Sequence, residues 1–121
     1  MIPQPTIVAA AADLMFASKI RGAAAQAGVE VGFARSAADL LERAAAARLV
    51  LLDLETRRLD ADAAIRALKQ ERADGISIVA FASHVLGDTL ASARAAGADR
   101  VLARSAFVRE LPALLRGASG R

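Results

Sequence analysis

Five short apolar segments rich in β-branched residues recur about every 20–25 residues, and this recurrence constrains the fold more than any other feature of the chain. They cover residues 6–11, 29–34, 49–53, 76–82 and 100–103, and each reads as a strand. Between them, apolar residues fall at helical spacing. Phe16, Ile20, Ala23, Ala24 and Ala27 make one stripe, and Leu40, Leu41, Ala44 and Ala45 the next. Ala61, Ile65 and Leu68 predict a third helix, Leu86, Leu90 and Ala93 a fourth, and Phe107, Leu111, Leu114 and Leu115 a fifth. Because the chain is rich in alanine, the strongest helix former, the β-branched clusters must carry the strand assignments.

The boundaries agree with these periods. Ser36 precedes Ala37-Ala38-Asp39 as a capping-box-like start, Asp60 can cap the third helix, and Gly28 and Gly97 can end the first and fourth. Pro112 would remove a hydrogen bond from the fifth helix, which predicts that this helix starts late or bends there. Regular strand–helix alternation with short connections implies a parallel sheet covered by helices on both faces, joined by right-handed crossovers. The expected fold class is therefore α/β, a doubly wound five-stranded sheet in the flavodoxin-like order 2-1-3-4-5. At 121 residues the chain is expected to form one domain over 1–121, with its core at about 6–116 and a frayed tail. No stretch remains for a second, output domain.

Composition excludes several functions. The chain has no cysteine, so disulfides and thiolate metal sites are ruled out. The longest apolar run is too short to span a bilayer and residues 1–5 lack a basic signal-peptide start, so no membrane role and a cytoplasmic location are expected. The pI near 10.5 suggests nucleic acid, but 16 basic against 13 acidic residues leave a net charge of only +3. With Arg57-Arg58 as the one adjacent basic pair and no Tyr or Trp for bases to stack on, direct nucleic-acid binding is not expected. The single histidine, His84, is no zinc signature. Ser83 lacks a GxSxG elbow, which leaves it as a cap for the fourth helix, and phosphate loops of the GxGxxG or P-loop type are missing.

One carboxylate stands out. The run Leu49-Val-Leu-Leu-Asp53 is an apolar strand that ends by presenting Asp53 at the carboxyl edge of the sheet, where ligands of such folds bind beside strands one and three.

In these segments the chain resembles the receiver domains of bacterial response regulators, the CheY-like family. The resemblance rests on Leu49-Val-Leu-Leu-Asp-Leu54 with Leu59-Asp60, on Ile76-Ser-Ile-Val-Ala-Phe-Ala-Ser-His84, and on Ala95-Ala-Gly-Ala-Asp-Arg-Val-Leu-Ala103. It implies that Asp53 matches the phospho-acceptor aspartate. The family's acidic pair for Mg²⁺ falls on Ala11 and Ala12, its hydroxyl on Ala82, its lysine on Arg104, the following proline on Ser105 and its aromatic switch on Val101. This pattern is that of a degenerate, or pseudo-, receiver. A hard Mg²⁺ ion needs several oxygen ligands, so weak or absent Mg²⁺ binding is expected, and phosphoryl transfer would lose its electrostatic stabilisation.

Three residues bear on that expectation. Asp13 either caps the first helix or, with the register shifted by one, returns a carboxylate to the pocket. Glu55 either points inward or sits exposed in its loop. Arg104 either reaches Asp53, standing where metal and phosphate would be, or is solvated at the rim.

The resemblance implies three functions. The first is a stand-alone, non-catalytic signalling protein of a two-component or phosphorelay pathway that recognises a protein partner, either a histidine kinase or a second copy of itself. Its face would comprise Leu86, Leu90, Arg94, Arg100, Val101, Arg104, Val108 and Arg109. The second is an atypical response regulator still phosphorylated at Asp53 by a histidine kinase. The third is a small-molecule sensor using a pocket vacated at Ala11, Ala12 and Ala82 and bordered by Asp13, Ser83 and Arg104.

Overall fold

The computed structural model describes residues 6–11, 13–56, 59–72, 75–83 and 87–119. Among the described residues five strands and five helices alternate: β1 (Ile7–Ala10), α1 (Leu14–Ala27), β2 (Val31–Phe33), α2 (Ala37–Arg43), β3 (Leu49–Asp53), α3 (Ala61–Glu71), β4 (Ser77–Ala82), α4 (Gly87–Ala96), β5 (Arg100–Ala103) and α5 (Arg104–Ser119). All strand pairs are parallel, and the sheet order is β2-β1-β3-β4-β5. This is the doubly wound arrangement that the alternation predicts.

The period of two along each strand sorts the core into two layers. Val8, Ala10, Val50, Leu52, Ile78 and Ala80 pack on one face with Leu40 of α2, Ile65 and Leu68 of α3 and Ala93 of α4. Ile7, Ala9, Leu49, Leu51, Val79 and Phe81 pack on the other with Phe16 and Ile20 of α1 and Phe107, Leu111 and Leu115 of α5. Asp53 continues the parity of Leu49 and Leu51, so the carboxylate ending β3 belongs to the α1/α5 side. Below it lies an aromatic stack, with the Phe81 and Phe107 ring centroids 4.1 Å apart and those of Phe16 and Phe81 4.8 Å apart.

The caps match their sequence signals. Ser36 Oγ accepts the Asp39 N–H at 3.1 Å, Asp60 Oδ1 accepts that of Ala63 at 3.1 Å, and Gly28 (φ 72°) and Gly97 (φ 122°) end their helices in left-handed conformations. A Cβ at Gly97 would come within 2.8 Å of Lys69 Cγ, so this glycine also permits a close approach.

Two expectations are corrected. The second helical stripe stops early: α2 ends at Arg43, a 3-10 turn follows over Ala44–Ala46, and Ala45 is exposed. Arg72 Nη1 reaches the carbonyls of Ala44, Ala45 and Ala47 at 2.9, 3.0 and 2.8 Å and so holds the turn that follows the helix. The fifth helix starts at Arg104, directly after β5, instead of late, and runs through Pro112. Pro112 is on the exposed face, where water can serve the carbonyl of Val108. Strands β1, β2 and β4 are one to three residues shorter than their apolar segments.

Candidate functional site

Asp53 ends β3 only 2% exposed. Its Oδ1 accepts the N–H of Glu55 at 2.9 Å, and its Oδ2 lies 3.2 Å from Arg104 Nη2. Arg104 begins α5 where β5 ends, which projects its side chain across the carboxyl edge of the sheet toward β3. Its Nη1 is 3.4 Å from Asp13 Oδ2, and its Nη2 is also 3.6 Å from Glu55 Oε1. Cζ lies 4.9 Å from the centroid of the Phe16 ring, so the aromatic stack is the floor of the guanidinium. One cation thus faces three carboxylates, from the ends of β1 and β3 and from the loop after β3.

This geometry revises the picture of a solitary Asp53. Asp13 takes both roles that its position allowed: Oδ1 caps α1 by accepting the N–H groups of Met15 and Phe16 at 2.9 and 3.2 Å, while Oδ2 turns to Arg104. Glu55 is exposed, yet its Oε1 accepts from Ser83 N–H at 3.0 Å and from Ser83 Oγ at 2.9 Å, tying the loop after β3 to the loop after β4. The Ser83 hydroxyl is engaged with Glu55, and its expected role as a cap of the fourth helix falls on residues 84–86, outside the described residues.

Burial pushes the Asp53 carboxyl above its ordinary pKa. The Glu55 N–H and the Arg104 charge oppose the rise, and the Glu55 charge adds to it.

The other predicted residues are placed as follows. Ala11 is half-buried and lines a crevice of ≈ 650 Å³ with Asp13, Phe33, Arg35 and Thr56. Ala82 is 2% exposed, inside β4. Val101 is 7% exposed and packed on the layer of Ile78, Ala80 and Ala93, which removes it from any interaction face. Arg94 and Arg109 are exposed, Val108 is 37% exposed, and Arg100 pairs with Glu110 at 2.7 Å, which holds the Glu110 carboxyl below its ordinary value. Ala12, Arg57, Arg58, His84, Leu86 and the side chain of Leu90 lie outside the described residues.

The sequence reading missed the Glu55–Ser83 contact, the role of Phe16 as a floor, and the exposure of Leu14 (83%) and Met15 (74%) at the start of α1. Leu14 and Met15 fall outside the helical stripe that begins at Phe16, a signal that could have found them.

No family model matches the chain, and no curated protein does. Solved structures do. The chain is similar to the signal receiver domain of the response regulator NarL from Mycobacterium tuberculosis, with 22% identity, a TM-score of 0.77 and coverage of 98% of this chain and 100% of that one. It is similar to a two-component response regulator from Clostridium difficile, with 16% identity, a TM-score of 0.80 and 98% of each chain covered. The fold is that of a response-regulator receiver domain. A response regulator in red-light signalling of R. palustris is a further neighbour, with 19% identity, a TM-score of 0.73 and 93% and 92% of the two chains covered.

Receiver domains imply Mg²⁺ beside the acceptor aspartate, and the residues here do not fit it. Among the described residues no group of three acidic or histidine side chains could hold a metal ion, and the near oxygens of Asp13 and Asp53 point at a guanidinium. No helix among the described residues is long and apolar enough to cross a membrane.

Proposed function

We propose that this receiver-fold chain is a non-enzymatic signalling module of a bacterial two-component or phosphorelay-type pathway. It acts in the cytoplasm by recognising another protein, without a phosphorylation switch at Asp53. The observation that carries this reading is the Arg104 guanidinium lodged among Asp53, Asp13 and Glu55. A planar, permanently charged group with fixed donors supplies neutralisation where a transferring phosphoryl group would need a divalent cation and a mobile lysine. Attack by Asp53 on a phosphodonor would require Oδ2 to leave Arg104 and to emerge from near-complete burial.

The partner surface is the α4–β5–α5 face, presenting Arg94, Arg100, Arg109 and Val108. Its exposed arginines, with Glu110 paired to Arg100, suit an acidic surface on a histidine kinase or on a second copy of the chain. A small-molecule sensor is the second reading, supported by the crevice beside Ala11 and Asp13. A ligand-dependent thermal shift lost in Phe33→Ala would favour it.

Incubation with a small acyl-phosphate donor and Mg²⁺, followed by intact-mass measurement, tests the proposal. The expected result is an unmodified mass. A phospho-adduct that disappears in Asp53→Asn would overturn it and establish the chain as an atypical response regulator.

A further inference from the structure

The crevice beside Ala11 carries opposite charge on its two sides. On the β3 side are Asp13 and Glu55, both of which face Arg104. On the β2 side are Arg21, from α1, and Arg35, which follows β2. Arg21 Cζ lies 4.3 Å from the centroid of the Phe33 ring, so the planar guanidinium is seated on an aromatic face. Among the described residues no carboxylate lies within ion-pair distance of Arg21 or Arg35. Asp39, whose carboxyl feels the Arg35 charge, gives its two oxygens to Arg43 Nε and to the backbone N–H of Arg35, at 2.9 and 3.0 Å. The short side chains of Ala10, Ala11, Ala17 and Ala34 in the walls leave a volume of ≈ 650 Å³, which suits a small organic molecule. One polar atom of the lining residues is unsatisfied: the Thr56 hydroxyl is buried with no hydrogen-bond partner among the described residues.

We propose that this crevice binds a small aromatic carboxylate, with the carboxyl group on the Arg21 guanidinium and the ring against the alanine wall. The inference rests on the sensor reading above and names its class of ligand. A guanidinium seated on a ring keeps the N–H groups of its edge, and these match the two oxygens of a carboxylate in a bidentate pair. Arg35 adds a second positive charge from the end of β2. Asp13 and Glu55 set the limit on the other side, where they repel further negative charge. A monoanion with an apolar body therefore fits, and a dianion such as phosphate is disfavoured. The bound ring displaces water from the apolar wall, and an acceptor on the ligand gives the Thr56 hydroxyl a partner. Such an occupant touches three separate segments: α1, the end of β2 and the loop that carries Glu55.

The test is titration of the folded chain with naphthoate and, separately, with naphthylmethanol and with inorganic phosphate, followed at the backbone amides of Ala34 and Thr56 by ¹⁵N–¹H NMR. The variants are Arg21→Ala, Arg21→Lys and, as a control for charge alone, Arg66→Ala on the exposed side of α3. Dispersion of the remaining amides reports folding in each. Naphthoate should give a saturable shift in the wild type, at least about tenfold weaker in Arg21→Ala, intermediate in Arg21→Lys and unchanged in Arg66→Ala. The alcohol and phosphate should each bind the wild type at least about tenfold more weakly than naphthoate. Equal affinity of the wild type and folded Arg21→Ala for naphthoate would overturn the inference, as would phosphate binding more tightly than naphthoate. A response to the alcohol as strong as that to naphthoate overturns it too, while leaving the sensor reading standing. Silence toward both aromatic probes overturns the inference and the sensor reading together.

Discussion

Two arginines tie the loops of this sheet at opposite ends, and their surroundings differ in one respect. At the amino end Arg72 holds the turn after α2 through the neutral carbonyls of Ala44, Ala45 and Ala47. At the carboxyl end Arg104 holds the turns after β1 and β3 through the carboxylates of Asp13, Asp53 and Glu55. Neutral acceptors make a tie whose strength is the same at any ordinary pH. Among the charged acceptors Asp53 is buried and its carboxyl is pushed above its ordinary pKa, so this tie depends on pH. The first arginine holds a turn far from Asp53, whereas the second lies against Asp53 itself.

The largest expected effect comes from the floor of the second tie. Phe16→Ala removes a buried ring from the stack with Phe81 and Phe107 and should destabilise the chain by about 3–5 kcal/mol in chemical denaturation. It should disturb Arg104 while the Arg72 contacts persist, which the amide shifts of residues 44–47 would report. Arg104→Ala comes next. It leaves the buried Asp53 without its cation, and at neutral pH it should cost on the order of 2–3 kcal/mol, a loss that shrinks as the solution becomes acidic. Arg72→Ala should cost about 1–2 kcal/mol, because the carbonyls it leaves can turn partly to water, and that loss should stay constant with pH. Equal pH dependence for the two variants would break the comparison.

A smaller effect isolates Asp53 itself. Its folded pKa is raised above the unfolded value, so the native state binds more protons through that window. Stability contributed by this group is fully present below the unfolded pKa and is lost as pH rises through the folded one. Asp53→Asn removes the dependence, so the stability of the wild type relative to Asp53→Asn should fall as pH rises from about 3.5 toward neutrality. A difference that grows in the opposite direction would mean that Arg104 outweighs burial. The smallest effect is at the exposed Arg100–Glu110 pair, where Glu110→Gln should leave the melting temperature within measurement error.

Much of the fold was legible because strand parity and helical stripes are local patterns. Asp53 was legible as a site residue for the same reason, since a carboxylate closing an apolar strand has one place to go. Arg104 was legible as a candidate partner through its position after the fifth strand, but its sharing among three carboxylates was not. That depends on how the turn after β1 directs Asp13 and on how far Glu55 reaches from its loop. Ser83 illustrates the same limit: a hydroxyl before a helix reads as a cap, and only the proximity of the loop after β3 shows that it donates to Glu55. Val101 lies at the second position of an edge strand, where sequence cannot tell a face turned to solvent from one covered by α4. The turn after α2 was hidden because the side chain that holds it, Arg72, sits 25 residues or more away in sequence.

The central claim is that Arg104 stands where a divalent cation would have to bind, and the carboxyl carbon of Asp53 reports on it directly. Titrated with Mg²⁺ in ¹³C NMR, this resonance should stay in place in the wild type and move on replacement of Arg104 by alanine. A saturable Mg²⁺-dependent shift in the wild type, with no change in Arg104→Ala alone, would contradict the account.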